Sequence, residues 1–353
     1  MKTASDVAVL PRAQTISRFA PLVTGLVLLL LLLTTLSLAT GPSQISYFDS
    51  VRYAFGFTDV HMDDKFRMTM DTLRIPRMWV ALLVGAGMAL SATLLQHATR
   101  NPLAEPGLLG VNSGAVFTLV VGMTFFAASS AQSMLYFAGA GAFMGNFIVL
   151  GMAQWLGQQN PLRLILLGVA MSATFGGLAN YLLLANQVVL DQFRFWNLGS
   201  LAAADMQAIY TVLPTFLFAV IVTIWLLPAL SLLQLGDTQA RSLGVNSSHC
   251  RIGVLICSTC FTACAIAIAG PIGFVGFLAA FSARCFYPTE LYQQTTLSAV
   301  LGAIFIVVAD ILARVLIQPF ELPSGVLLAL VGGPTLMWVA RAYSKKTLQL
   351  QTE

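Results

Sequence analysis

The sequence predicts an all-α, polytopic membrane protein of about ten transmembrane helices, and three observations carry that expectation. Only 9% of the 353 residues are charged, against about 25% in soluble proteins, too few to cover a water-facing surface. Hydrophobic residues make up 58% of the chain and the mean hydropathy is +0.83. Apolar stretches long enough to cross a hydrocarbon layer of about 30 Å recur along its whole length.

These stretches fall at 21–39, 78–95, 108–128, 134–155, 164–184 and 209–230, then at 252–269, 272–286, 297–317 and 326–342. The first follows Arg12 and Arg18 and ends Ser37-Leu38-Ala39, superficially like a secretory leader. A run of about 19 residues exceeds the roughly 7 to 15 of a leader core and suffices to span, so it reads as the first transmembrane helix. The eighth stretch is short, and the ninth contains Asp310 and Arg314. The expected organisation is a cytoplasmic tail over 1–19, one transmembrane domain over 20–342, and a second cytoplasmic tail over 343–353.

An even number of spans puts both termini on one side. Placing them in the cytoplasm leaves 11 of the 18 basic residues inside, which obeys the positive-inside rule. Most acids, among them Asp49, Asp59, Asp63, Asp64, Asp71, Asp191 and Asp205, then face outward. Two outward segments are expected, 41–76 and 186–205, the second carrying Phe193, Phe195 and Trp196 on a short interfacial helix. Inside, 233–251 reads as two small helices: Gly236-Asp237 offers a cap, Gly244 a stop, and Asn246-Ser247-Ser248 a second cap.

Several function classes are excluded. The 18 basic residues barely exceed the 14 acidic ones, and no basic run is longer than Lys345-Lys346, so nucleic acid is not an expected partner. His61, His97 and His249 are scattered and form no catalytic or metal-ligand spacing. Cys257, Cys260 and Cys264 share a helical face, but a membrane-buried metal site needs further ligands and the spacing suits small packing residues. No lysine follows a glycine, so the chain lacks a phosphate-binding P-loop and no bound cofactor is expected. Any ATP and magnesium chemistry would belong to a separate partner.

Five motifs remain, each with a bland and a functional reading. Arg74-Ile75-Pro76-Arg77, just outside the second span, is either a pair of interfacial snorkelling arginines or an outward docking site for acidic side chains. In Arg100-Asn-Pro-Leu-Ala-Glu-Pro-Gly-Leu-Leu-Gly-Val-Asn112-Ser113-Gly114 the prolines force a reversal on the inner face. Its last three small residues suit either close helix contact or a wet cavity lining. Outside these five, Gly141-x-x-x-Gly145 reads first as a helix contact.

The stretch Leu235 to Asn246 is either a solvated loop or a rigid knob that transmits a motor's motion, with Gly236, Asp237, Ala240, Arg241, Ser242, Leu243 and Gly244 as its candidate coupling residues. Gly270-Pro-Ile-Gly-Phe-Val-Gly276 breaks the backbone at membrane depth, which is tolerated only where protein or a water-filled cavity covers it. Last, Asp310 and Arg314 can pair on one helix face, followed by Glu321-Leu-Pro-Ser-Gly325 and Gly332-Gly-Pro334.

Taken in this order and spacing, from Arg74 to Ala340, the set resembles the FecCD-type permeases, the membrane subunits of type II ABC importers for ferric siderophores, haem and cobalamin. The segment Asp191-Gln-Phe-Arg-Phe-Trp-Asn-Leu-Gly-Ser200 is most similar to the ferric-catecholate members. The resemblance implies ten helices per subunit and a second permease subunit, either a copy or a related chain. It also implies a cytoplasmic ATPase dimer that binds ATP and magnesium, and a periplasmic binding protein. It gives Arg74, Arg77 and Arg314 a role in receiving the binding protein, and 237–246 the role of coupling helices. Asn112, Ser113, Gly114, Phe195, Trp196 and Gly325 fall near the pathway and its gates.

One departure stands out. Many relatives carry proline and histidine where this chain has Ala280 and Phe281, which leaves open the shape of the inner end of the eighth span and whether the subunit pairs with itself or with a related permease. The expected function is an inner-membrane permease that moves an iron chelate inward and catalyses no reaction itself. The competing expectation is an ion-coupled secondary transporter with Asp310 as the carrier.

Overall fold

The computed structural model describes residues 12–41, 46–57, 63–155, 161–317 and 320–352, which among them form helices and connections without a strand. In chain order the helices are α1 (Arg12–Ala39), α2 (Tyr47–Ala54), α3 (Asp64–Thr69), α4 (Ile75–Thr99), α5 (Val111–Phe125), α6 (Ala131–Trp155) and α7 (Pro161–Ala185). They continue with α8 (Gln187–Asn197), α9 (Met206–Leu233), α10 (Asp237–Ser242), α11 (Ser247–Ala269), α12 (Val275–Phe286), α13 (Leu291–Val315) and α14 (Ser324–Thr352).

Six described helical runs are long and apolar enough to cross a bilayer, and 111–125, 275–286 and 324–339 are shorter apolar helices. The 25-residue α6 takes the place of the fourth expected stretch. The count of about ten is thus met approximately.

Boundaries shift in three places. The expected outward segment 41–76 is partly helical, and its end belongs to one continuous run, Asp64–Thr99. Proline explains the join: Pro76 has no N–H for the helical ladder, and the turn before it, Met70–Arg74, widens into a π-helix in which the Ile75 N–H reaches Met70 O. The two small helices expected over 233–251 reduce to α10 alone, because the Asn246 side chain accepts from Ser248 N and His249 N and starts α11 directly. Gly244, at φ 83°, ends the α10 turn as expected. The expected tail 343–353 continues α14 as helix to Thr352, and α1 begins at Arg12, while 1–11 lie outside the described residues.

Helices α4, α11 and α13 form the buried centre. Between lipid-solvated helices the hydrophobic effect supplies little attraction, so close backbone approach and hydrogen bonds must hold them. Gly85 of α4 and Gly302 of α13 supply the first: a Cβ on Gly85 would lie 2.4 Å from Gly302 O. The second comes from Ser91 Oγ, which meets Ser258 Oγ at 2.6 Å and Thr262 Oγ1 at 2.9 Å on α11, while Thr93 bonds Ser298 of α13.

Gly141 and Gly145 of α6 press against Gly114 and Gly110, which settles that pattern as helix contact. Cys257, Cys260 and Cys264 pack into the apolar cluster between α9 and α11, near the edge-to-face pair Phe216 and Phe261. Outward faces such as Leu28, Leu32, Tyr181, Leu184 and Trp225 stay exposed to the lipid solvent.

Gly85→Leu should force α4 and α13 apart, an overpacking cost of about 3 kcal/mol or more, whereas Gly139→Leu, with open space at its Cα, should be neutral. Thermal unfolding of the detergent-solubilised protein checks both, and equal midpoints would refute the contact's importance.

Candidate functional site

At the end of the bundle expected to face outward, the last carbonyls of α1 have no helical partner. Arginines supply one: Arg314 Nη1 donates to Ser37 O at 2.9 Å and Thr40 O at 2.8 Å, and Arg74 Nη1 donates to Leu38 O. Behind them Asp310, only 1% exposed, is gripped by Arg77 at 2.8 Å and Arg314 at 2.8 Å, with Ser324 Oγ donating at 3.2 Å. Arg77 also reaches Glu321 at 2.7 Å, which fastens the connection before α14 to α4. Outside this cap, the Tyr53 hydroxyl of α2 donates to Asp71 at 2.8 Å, and burial with that carboxylate nearby pushes the phenol up from its ordinary value.

This corrects one expectation. The docking reading of Arg74 and Arg77 expects outward guanidiniums, but these two and Arg314, at 6, 8 and 4% exposure, point inward. A charge at this depth is stable only when paired and hydrogen-bonded, and the carboxylates of Asp310 and Glu321 and the α1 carbonyls meet that need.

Below the cap three broken segments converge. After α8, Gly199 (φ 65°) lies against Pro271, and Gly270 (φ 73°) lies against Trp196 O, so close that a Cβ on either would come within 2.6 Å of a carbonyl oxygen. Ser200 N donates to Ala269 O at 3.0 Å and Gly325 N to Gly199 O at 3.1 Å. The structure therefore brings together Trp196, Gly270 and Gly325, three motifs far apart in sequence. A cavity of about 430 Å³ opens beside them, lined mainly by apolar groups with Ser200, Asp205 and Glu321 among its polar ones.

The ring of Trp196 packs on a cluster that includes Val111 and Ala115 of α5, the helix that carries Asn112, Ser113 and Gly114, but these three do not line the cavity. Ser113 faces Ser172 of α7 at 3.2 Å, and Gly114 is occupied by the α6 contact. The side chain of Phe195 lies outside the described residues. Helix α12 starts at the level of Met88, halfway along α4, and runs unbroken through Ala280 and Phe281, whose ring stacks on Phe277 at 6.1 Å.

At the opposite end, α10 packs one face on α9 and α11. Of the residues expected in the coupling element, Ala240 is fully buried and anchors the helix, while Arg241, Ser242, Leu243 and Gly244 are exposed, as is Gln239. Asp237, expected as part of the cap, is instead bound by Arg100 at 2.8 Å and Arg251 at 2.9 Å. A pocket of about 300 Å³ beside it contains His97, bonded to Gln294 at 2.7 Å and Gln234 at 2.9 Å, and Arg284, bonded to Gln96 at 2.7 Å.

The described residues thus combine a polar cap, broken helices around a cavity and, at the opposite end, a short helix braced by two arginines. The family model for the FecCD transport family matches residues 29–342. The chain belongs to that family. Among the curated FecCD relatives, the ferric enterobactin transport system permease protein of Escherichia coli (strain K12) is 37% identical over 90% of this chain and 94% of its own. The hemin transport system permease protein of Yersinia pestis is 35% identical over 76% and 81%. A solved metal-chelate type ABC transporter in an inward-facing conformation superposes with a TM-score of 0.77 at 28% identity, covering 92% of this chain and 99% of its own. The FecCD chain described here is thus a multi-pass transport permease of the type II importer fold.

Sequence reasoning missed the roles of Glu321 and Ser324 as partners of the buried charges, and of Glu105, whose carboxylate accepts from Phe274 N at 2.8 Å. A lone acid among prolines in an apolar chain was the available signal for Glu105.

Arg77→Met should cost about 3 kcal/mol by leaving Asp310 and Glu321 under-paired, and adding Asp310→Leu should return part of it. Thermal unfolding in detergent measures both; an unchanged midpoint in the single variant would remove the pair from the account.

Proposed function

We propose that this chain is the membrane-spanning subunit of an ATP-binding-cassette importer that carries an iron chelate, a ferric siderophore of catecholate type, from periplasm to cytoplasm across the bacterial inner membrane. The observation that carries this is α10. A helix of 6 residues cannot hold itself together in water, yet this one is anchored through Ala240, braced by two arginines on Asp237, and exposed elsewhere. That is the form of a contact built to receive force from a partner.

The partner is an ATPase dimer, which binds ATP and magnesium. A second permease subunit, a copy or a related chain, completes the path. A periplasmic binding protein delivers cargo to the outer face, where Arg74, Arg77 and Arg314 contribute by holding α1 and the connection before α14 in shape. Support for a catecholate comes from the Asp191 to Ser200 segment and the enterobactin relative. The haem relative is nearly as similar, so transport of competing chelates decides the cargo.

The ion-coupled alternative needs Asp310 to exchange a proton or cation with water. Its carboxylate is held by Arg77, Arg314 and Ser324 at 1% exposure, which opposes that use.

Two measurements test the proposal. The chain co-purified with its ATPase and supplied with loaded binding protein should accumulate ferric catecholate in proteoliposomes energised by ATP alone. Accumulation by the isolated chain under an ion gradient, without ATP, would overturn the reading. Arg241→Glu combined with Leu243→Asp, both exposed, should lower ATPase association about tenfold or more without moving the melting midpoint.

A further inference from the structure

The connection between α4 and α5 is fastened at both of its ends. Arg100, the left-handed cap of α4 at φ 52°, bonds Asp237 of α10 at 2.8 Å and the Leu233 carbonyl. A tight turn follows, in which Leu103 N donates to Asn101 Oδ1 at 3.0 Å and Ala104 N to Asn101 O at 3.1 Å, between Pro102 and Pro106. Glu105 then accepts from Phe274 N at 2.8 Å.

Phe274 is an unusual place for that bond. It is a non-glycine residue at φ 67°, a conformation that persists only where its surroundings impose it. It precedes α12, so its N–H lies at the positive end of that helix, halfway into the bundle, where no lipid group could replace the carboxylate. Its Cβ also lies against α14, for a Cβ on Gly332 would come within 2.2 Å of it. One stiff turn therefore touches the coupling helix at one end, and at the other the hinge where α11, α12 and α14 meet.

We propose that Glu105 is the positioning residue that passes a displacement of α10 to the break between α11 and α12, so that nucleotide binding below resets the cavity beside Gly270. This deepens the ATPase-coupled reading and rests on it.

The test uses the assembled transporter in proteoliposomes with loaded binding protein and ATP. Glu105→Ala should keep ATPase association and hydrolysis, while chelate imported per ATP falls about tenfold or more, as expected for loss of one charge-assisted hydrogen bond. Glu105→Gln, which retains an acceptor oxygen, should recover most of it. Hydrogen exchange adds a readout that a merely structural role would not move. The nucleotide-dependent change at 270–276 should vanish in Glu105→Ala while the change at 237–244 remains. Should Glu105→Ala not assemble, Glu105→Asp, which withdraws the carboxylate by one methylene, takes its place with the same expected loss. Wild-type import per ATP and a wild-type response at 270–276 in the assembled variant overturn the Glu105 link alone. A native chain that never couples to an ATPase overturns the import reading with it.

Discussion

The buried carboxylate of Asp310 is the point on which the outer half of this protein depends. A negative charge with 1% exposure requires cations, and the two arginines that answer it are drawn in from different helices. Each then has donors left over. Arg314 spends them on the end of α1, and Arg77 on Glu321. This small network of ion pairs thus fixes the relative positions of α1, α4, α13 and the start of α14. Pairing of this kind adds little net stability compared with an apolar core of the same shape, but it tolerates few alternative arrangements.

Much of the fold was legible in the chain. Most of the apolar stretches, the short helix before Asp205, the helix contact at Gly141 and Gly145, and the Asp310 to Arg314 pair follow from local periodicity and composition, and the structure contains them. What was not legible is the direction in which long side chains turn. Arg74 and Arg77 beside a proline at a span boundary look the same in sequence whether they snorkel outward or reach inward. Their partners decide it: the Leu38 carbonyl for Arg74 and, for Arg77, Asp310 more than 200 positions away.

The same limit applied at the inner end. Asp237 after Gly236 reads as a helix cap, yet its carboxylate goes to Arg100 and Arg251, two residues that local patterning does not connect. Ala240 on a short polar helix looks like surface until α9 and α11 are seen to enclose it. Likewise the convergence of Trp196, Gly270 and Gly325 needed the bundle's topology, although each glycine alone signalled a close backbone approach.

The contact between Gly85 and Gly302 has a mechanical consequence. Two helices whose backbones touch, with serine and threonine hydroxyls bridging the same faces, cannot slip past one another by a fraction of a turn without a steric collision. The α4 and α13 pair therefore works as a fixed spindle, and any rocking of the subunit must be taken up by the looser helices that surround it.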